Sequence, residues 1–238
     1  MRKRLRWIIP VAVLALLAGG FAIYVGQYYR AGDAAADALR SDEAVQVSAT
    51  DYGWWFDGPS DECALIFYPG GKVEAEAYAP LLHRLAAAGV DGCLVEMPFR
   101  LAILGIDRAD AVLTAHEYGR WYIGGHSLGG ACATAYAAGH GDALGGVILL
   151  GAYPMKPLGD DLDTVFIYGS EDGVLNRENY QKSRRLAPED AVEYVIEGGN
   201  HAQFGDYGPQ RGDGAASISP EAQIHETVEC IIENIRHN

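Results

Sequence analysis

The sequence predicts an α/β protein: a mostly parallel sheet with helices on both faces and no cap domain, preceded by one N-terminal transmembrane helix. Three observations lead there. After residue 45, short apolar runs alternate with amphipathic stretches of about ten residues, the pattern of a parallel sheet covered on both sides. The stretch Trp121-Tyr-Ile-Gly-Gly-His126-Ser127-Leu128-Gly129-Gly130 reads as a strand, a sharp turn and the start of a helix. Near the N-terminus, Trp7 to Val25 runs for nineteen residues without a charge.

That apolar run follows Met1-Arg2-Lys3-Arg4-Leu5-Arg6 and is long enough, as a helix, to cross a hydrocarbon core of about 30 Å. Trp7 at one end and Tyr24, Tyr28 and Tyr29 at the other are placed as an aromatic belt would place them. Basic residues on the N-terminal side predict a cytoplasmic N-terminus and an extracytoplasmic remainder. A cleaved signal peptide shares the basic start and the apolar core. The run exceeds the about 7–15 residues usual for a signal core, and the nearest small-x-small site, Ala34-Ala35-Ala36, lies well past its end. No cysteine follows Leu17-Ala-Gly-Gly20 as a lipoprotein signal would need. The division expected is a basic tip and membrane anchor over 1–30, a juxtamembrane helix or linker over 31–44, and one α/β domain over 45–238.

The whole chain of 238 residues carries 18 Lys and Arg against 32 Asp and Glu. Five of the basic residues and none of the acids lie in positions 1–32, so the remaining 206 residues have a net charge of −19. That length builds one sizeable core, and that charge repels nucleic acid and excludes its binding as the main role. Cys63, Cys93, Cys132 and Cys230 show no C-x-x-C spacing, which argues against a structural zinc site and for buried thiols.

Taken in order, Val45–Thr50 alternates as an opening strand, and Cys63–Tyr68 is a continuous apolar run, as in a strand buried on both faces. Pro69-Gly70-Gly71-Lys72 breaks it. Tyr78–Ala88 is an amphipathic helix stopped at Gly89, Gly92–Met97 a second buried strand ended by Pro98, and Asp107–His116 a helix. Trp121–Gly125 then leads into the turn. Strands follow at Leu144–Leu150, Val165–Tyr168 and Val192–Ile196, with helices at Asn176–Leu186 and Pro220–Ile235. Gly151–Asp163, between two late strands, is too short to build a lid, which predicts an open site walled by Pro98-Phe99-Arg100-Leu101 and Tyr153-Pro154. Phe99 and Tyr153 are the substrate-binding candidates.

Catalytic groups of such sheets collect at the carboxyl ends of the strands. Gly125-x-Ser127-x-Gly129 is the pattern that lifts a serine nucleophile onto a strained bend, with small residues where strand and helix crowd. The acid follows the strand at 165–168 in Gly169-Ser170-Glu171-Asp172-Gly173; both carboxylates qualify by type, and Asp172, beside the freer Gly173, is preferred. Of seven histidines, His83, His116, His225 and His237 fall on helix surfaces or at the terminus, His140 in a loop, and His126 beside the serine. Only His201 occupies a late strand-end loop. The order Ser127, Asp172, His201 differs from that of chymotrypsin- and subtilisin-type proteases. Two N–H donors should hold an oxyanion: Leu128, after the nucleophile, and Gly71, with Lys72 as the alternative.

Four blocks carry a resemblance: Phe67-Tyr-Pro-Gly-Gly-Lys-Val73, Met97-Pro-Phe99, Gly124-Gly-His-Ser-Leu-Gly-Gly130 and Gly198-Gly-Asn-His-Ala-Gln-Phe-Gly-Asp-Tyr-Gly208. With them the chain resembles the α/β-hydrolase superfamily, and more closely small bacterial α/β hydrolases that are often membrane-anchored. The resemblance covers nearly everything after residue 45. It implies ester hydrolysis in general, on a small-molecule ester or acyl substrate, with no metal or organic cofactor. Dienelactone hydrolases are a related branch, but their nucleophile is a cysteine where this chain has Ser127, so no lactone-specific activity carries over. Acyltransferases and thioesterases use the same triad, and a non-catalytic binding protein on the same fold is the rival from another class.

Overall fold

The computed structural model describes residues 2–236, with side chains from residue 9 to residue 235. The side chains of the basic cluster at Arg2–Arg6 and of Trp7, and residue His237, lie outside the described residues.

Eight strands form one sheet in the order β1-β2-β4-β3-β5-β6-β7-β8. They are β1 (Gln46–Thr50), β2 (Gly53–Asp57), β3 (Cys63–Tyr68), β4 (Asp91–Val95), β5 (Arg120–His126), β6 (Gly146–Leu150), β7 (Asp163–Gly169) and β8 (Val192–Ile196). From β4 to β8 every pairing is parallel, while β2 runs against both of its neighbours. Sequence reading did not single out β2. Its Gly-Trp-Trp-Phe-Asp run is aromatic and favours a strand, but with Trp55 and the adjacent Phe56 both buried no polar alternation marks it.

Helices α3 (Ala79–Ala87) and α7 (Pro220–Arg236) pack on one face; α4 (Ala109–Ala115), α5 (Leu128–His140) and α6 (Arg177–Ser183) cover the other. The pleat of β3 shows how one apolar run feeds two cores. Leu65 and Phe67 join Tyr78, Leu82 and Ile231, whereas Ala64, Ile66 and Tyr68 join Val112, Ala133 and Tyr136. Helix α6 begins where the Asn176 side chain accepts the Asn179 N–H at 2.8 Å, an N-cap of ordinary type. The connection from β6 to β7 contains no helix or strand. Among the described residues no disulfide joins the cysteines; Cys93, Cys132 and Cys230 are buried and Cys63 is half-buried.

Helix α1 (Arg2–Gly26) contains an 18-residue apolar stretch, Ile9–Gly26, long enough to cross a membrane, and none of it is buried in the protein. The residues after it are fastened to the domain. Tyr29 donates its N–H to the Lys72 carbonyl at 2.8 Å and accepts the Glu74 N–H at 3.0 Å. The Ala31 N–H reaches Glu74 Oε2 at 2.9 Å. Asp206 takes the Gly32 N–H on its carbonyl and the Ala35 N–H on its carboxylate, both at 2.8 Å. Short helix α2 (Asp33–Ala38) follows with Ala35 fully buried.

Candidate active site

Strand β5 ends at His126 and α5 begins at Leu128, so Ser127 makes the whole turn. It does so at φ 52° and ψ −121°, a conformation that costs a non-glycine residue about 1–3 kcal/mol and persists only where the surroundings enforce it. The Ser127 N–H donates to the Leu150 carbonyl at 2.9 Å, and its own carbonyl accepts the Ala131 N–H at 3.1 Å. The flanking glycines are a steric requirement. A Cβ on Gly125 would fall 2.4 Å from the Tyr68 carbonyl oxygen, and one on Gly129 2.1 Å from the same atom. Strand β3 therefore crowds the turn from below.

Asp172 and His201 meet above β7 and β8. His201 Nδ1 lies 2.8 Å from Asp172 Oδ2, with both side chains essentially inaccessible. The other carboxylate oxygen, Asp172 Oδ1, accepts the Val174 and Leu175 N–H groups at 2.9 and 2.8 Å, which fixes the carboxylate independently of the histidine. Glu171, the alternative acid, is exposed and accepts from the Ser170 hydroxyl at 3.2 Å.

Ser127 and His201 line one cavity of about 340 Å³, together with Leu128, Tyr153, Met155 and Leu175. Among the described residues neither the Ser127 hydroxyl nor His201 Nε2 has a hydrogen-bond partner. With Nδ1 held by Asp172, Nε2 is the ring nitrogen left for proton exchange; such contacts are commonly loose before substrate binds. Phe99, expected as a wall of the site, is placed elsewhere. It sits in a left-handed turn at φ 54°, is 55% exposed, and packs edge-on against Phe21 of α1, ring centroids 5.3 Å apart.

Gly71 lies beside Leu128: a Cβ there would be 2.9 Å from Leu128 Cδ2. The alternative donor, Lys72, has its N–H engaged by the Arg100 carbonyl at 2.8 Å. Leu128, as the first residue of α5, has an N–H without an intrahelical acceptor.

Three supports escaped the sequence reading. Asp213, in the glycine-rich loop after the histidine, accepts the His201 and Ala202 N–H groups at 3.2 and 2.8 Å and the Gly173 N–H at 3.1 Å. One carboxylate thus ties the histidine loop to the acid loop; a lone acid between glycines was the only available signal. Gly151, at φ 51°, lies so close that a Cβ would come 2.9 Å from His201 Nδ1. The hydroxyl of fully buried Tyr78 accepts the Gly70 N–H at 3.1 Å and lies 2.8 Å from His126 Nδ1. Burial pushes the Tyr78 phenol above its ordinary range, so it keeps its proton. Burial first, and then the neighbouring His201, hold the His126 imidazole well below its ordinary 6.5; it is neutral, 4.3 Å from the His201 ring. Among the described residues no three His, Cys, Asp or Glu side chains gather as a metal site would.

The model of one family, described as "Alpha/beta hydrolase family", matches residues 64–225, well over half of the chain. The chain belongs to the α/β hydrolase family. Solved structures agree on the fold. A dienelactone hydrolase from Anabaena variabilis superimposes with a TM-score of 0.58 at 14% identity, covering 80% of this chain and 99% of that one. An esterase from Mycobacterium tuberculosis gives 0.57 at 15% identity, over 84% and 95%. A serine hydrolase involved in carbazole degradation gives 0.57 at 13%, over 80% and 100%. At such identities the likeness concerns the fold alone. Comparison with curated proteins gave no match.

Proposed function

We propose that this α/β hydrolase is a serine esterase that works through an acyl-enzyme. The observation that carries the proposal is the buried Asp172–His201 pair, opening with Ser127 onto one cavity. In this reading Ser127 Oγ attacks the ester carbonyl while His201 Nε2 takes its proton. Asp172, bound to Nδ1, orients the imidazole and stabilises its charged form. The N–H groups of Leu128 and Gly71 hold the oxyanion. His201 then protonates the leaving alcohol, and water, activated by the same nitrogen, releases the acid and restores Ser127.

The short β6–β7 connection leaves the cavity uncapped, and Tyr153 with Met155 offers an apolar wall for a small acyl group. Labelling by a fluorophosphonate, with loss of the hydrolysis of p-nitrophenyl esters, tests the reading. Wild-type protein should be labelled on Ser127 and Ser127→Ala should not. A folded wild-type protein that resists the probe and leaves every ester intact would overturn it.

The anchor belongs to the same proposal. Ile9–Gly26 holds the protein in a membrane and the domain lies on the extracytoplasmic side. Protease added to spheroplasts should digest the domain; full protection, or a soluble form beginning near residue 37, would reject that topology.

A further inference from the structure

Helix α1 and the domain do more than share a chain. Phe21 lies inside the apolar stretch Ile9–Gly26, five residues before its end, which is about 7.5 Å back along a helix. Its ring meets Phe99. Phe99 belongs to the turn after β4, and the same turn exposes Ile103 and Leu104, each with about half of its surface accessible. Three large apolar side chains at one tip are not a solvent-facing surface of ordinary kind.

Cations stand just behind the tip. Lys72 Nζ sits 4.3 Å from the centre of the Tyr24 ring, and the Arg100 guanidinium 3.5 Å from that of Tyr28. Apolar residues at the tip, aromatic rings behind them and cations at the same level form the sequence of layers that a bilayer interface selects. It is notable that these cations occur on a domain whose net charge is −19. The tip also adjoins the candidate active site, since the Lys72 N–H, one residue from Gly71, is held by the Arg100 carbonyl.

We propose that the turn at 98–104 is a second, shallow membrane contact, inserted through Phe99, Ile103 and Leu104 into the leaflet that α1 leaves. The partner is the lipid surface itself. The inference rests on α1 spanning the membrane, because Phe99 can share the depth of Phe21 only if Phe21 is in the bilayer. Rigid fastening of 29–35 to the domain, described above, prevents the tip from lifting away on a free tether. Because Gly71 and Lys72 adjoin that turn, the candidate site then lies near the interface, within reach of esters partitioned into the lipid.

The test uses the full-length protein in liposomes of phosphatidylcholine with a minor fraction of phosphatidylglycerol. A fluorophore is attached to Ile103→Cys, to Leu16→Cys within α1, or to Val192→Cys on the far edge of the sheet, with the labelling background of the unsubstituted protein subtracted. Quenching by nitroxides on the lipid chains reads the depth of each. Strong quenching at 16 and at 103, with a shallower depth at 103 and none at 192, supports the proposal. Quenching at 16 with position 103 no deeper than position 192 overturns it and leaves the anchor standing. No quenching at 16 overturns the anchor reading, and the proposal with it. A second measurement concerns substrate access. The double variant Ile103→Asp, Leu104→Asp should hydrolyse a water-soluble short-chain ester at the wild-type rate but a vesicle-embedded short-chain acyl ester of a long-chain alcohol about fivefold or more slowly, as lost interfacial insertion requires. Equal rates on the embedded ester would overturn the access route.

Discussion

Ser127 is held by backbone and bare glycines, whereas Asp172 and His201 are held by side chains that reach across the chain. On the β5–α5 side the turn depends on the Leu150 and Ala131 backbone and on the absence of any Cβ at Gly125 and Gly129. On the β7–β8 side, Asp213 bonds three N–H groups from two loops. Gln223 clamps the peptide before the histidine, accepting the Asn200 N–H at 2.9 Å and donating to the Asn200 carbonyl at 2.8 Å. The first half is a steric fit of the glycines flanking Ser127 against backbone carbonyls of β3 and β6. The second is a polar network whose members lie as far apart as Gly173 and Asp213. A steric fit fails when volume is added; a network fails when one acceptor is removed and its donors are left buried and unpaired.

The largest expected effect joins the two halves. Ser127→Ala, His201→Ala and Asp172→Asn should each lower turnover of an activated ester by roughly 10³-fold or more, and combining them should add little, because the residues act as a unit. Additive losses, measured as kcat/KM on folded variants, would mean that the halves work separately. Next comes the network. Asp213→Ala should lower kcat by about tenfold or more while leaving labelling of Ser127 by a fluorophosphonate detectable, since it loosens His201 without touching the serine turn. An unchanged kcat would show that the histidine loop holds its place without that carboxylate.

A smaller effect concerns stability. His126 joins the halves, next to Ser127 in sequence and against His201 in space, and is neutral when folded. The unfolded chain takes up a proton at His126 below its ordinary 6.5, and the folded chain does not. The unfolded state therefore binds more protons there, and stability falls as pH falls, by up to about 1.4 kcal/mol per pH unit from this group. Urea midpoints measured between about pH 7 and about pH 5.5 should drop, and His126→Asn should remove about one proton's share of that slope. A slope that survives the substitution would assign the acid sensitivity to other groups. The smallest effect is expected at Glu171→Gln, whose exposed side chain accepts a hydrogen bond from Ser170: esterase activity should stay within about twofold of wild type, as for a surface change away from the network. A loss matching that of Asp172→Asn would move the acid by one position.

Much of the fold was legible because the signals are local. The runs at 63–68, 92–95 and 144–150 are apolar throughout because the central strands of the sheet are buried on both faces, and Gly125-x-Ser127-x-Gly129 states its own steric problem. Strand β2 was not legible, since its pairing against β4 is a long-range choice that its aromatic residues permit without announcing it.

By itself the sequence determined the α/β class, the serine turn, the order of Ser127, Asp172 and His201 along the chain, and an apolar N-terminal run of spanning length. Each of these follows from residue type and spacing within a few turns or strands. Only the tertiary structure decided that Asp172, rather than Glu171, lies 2.8 Å from His201, that Asp213 braces both loops, and that Phe99 leaves the cavity for Phe21. Those outcomes depend on which carboxylate, amide or ring arrives at a given point after distant segments have packed. A loop's own residues specify its conformational freedom, but its neighbours select one conformation from it.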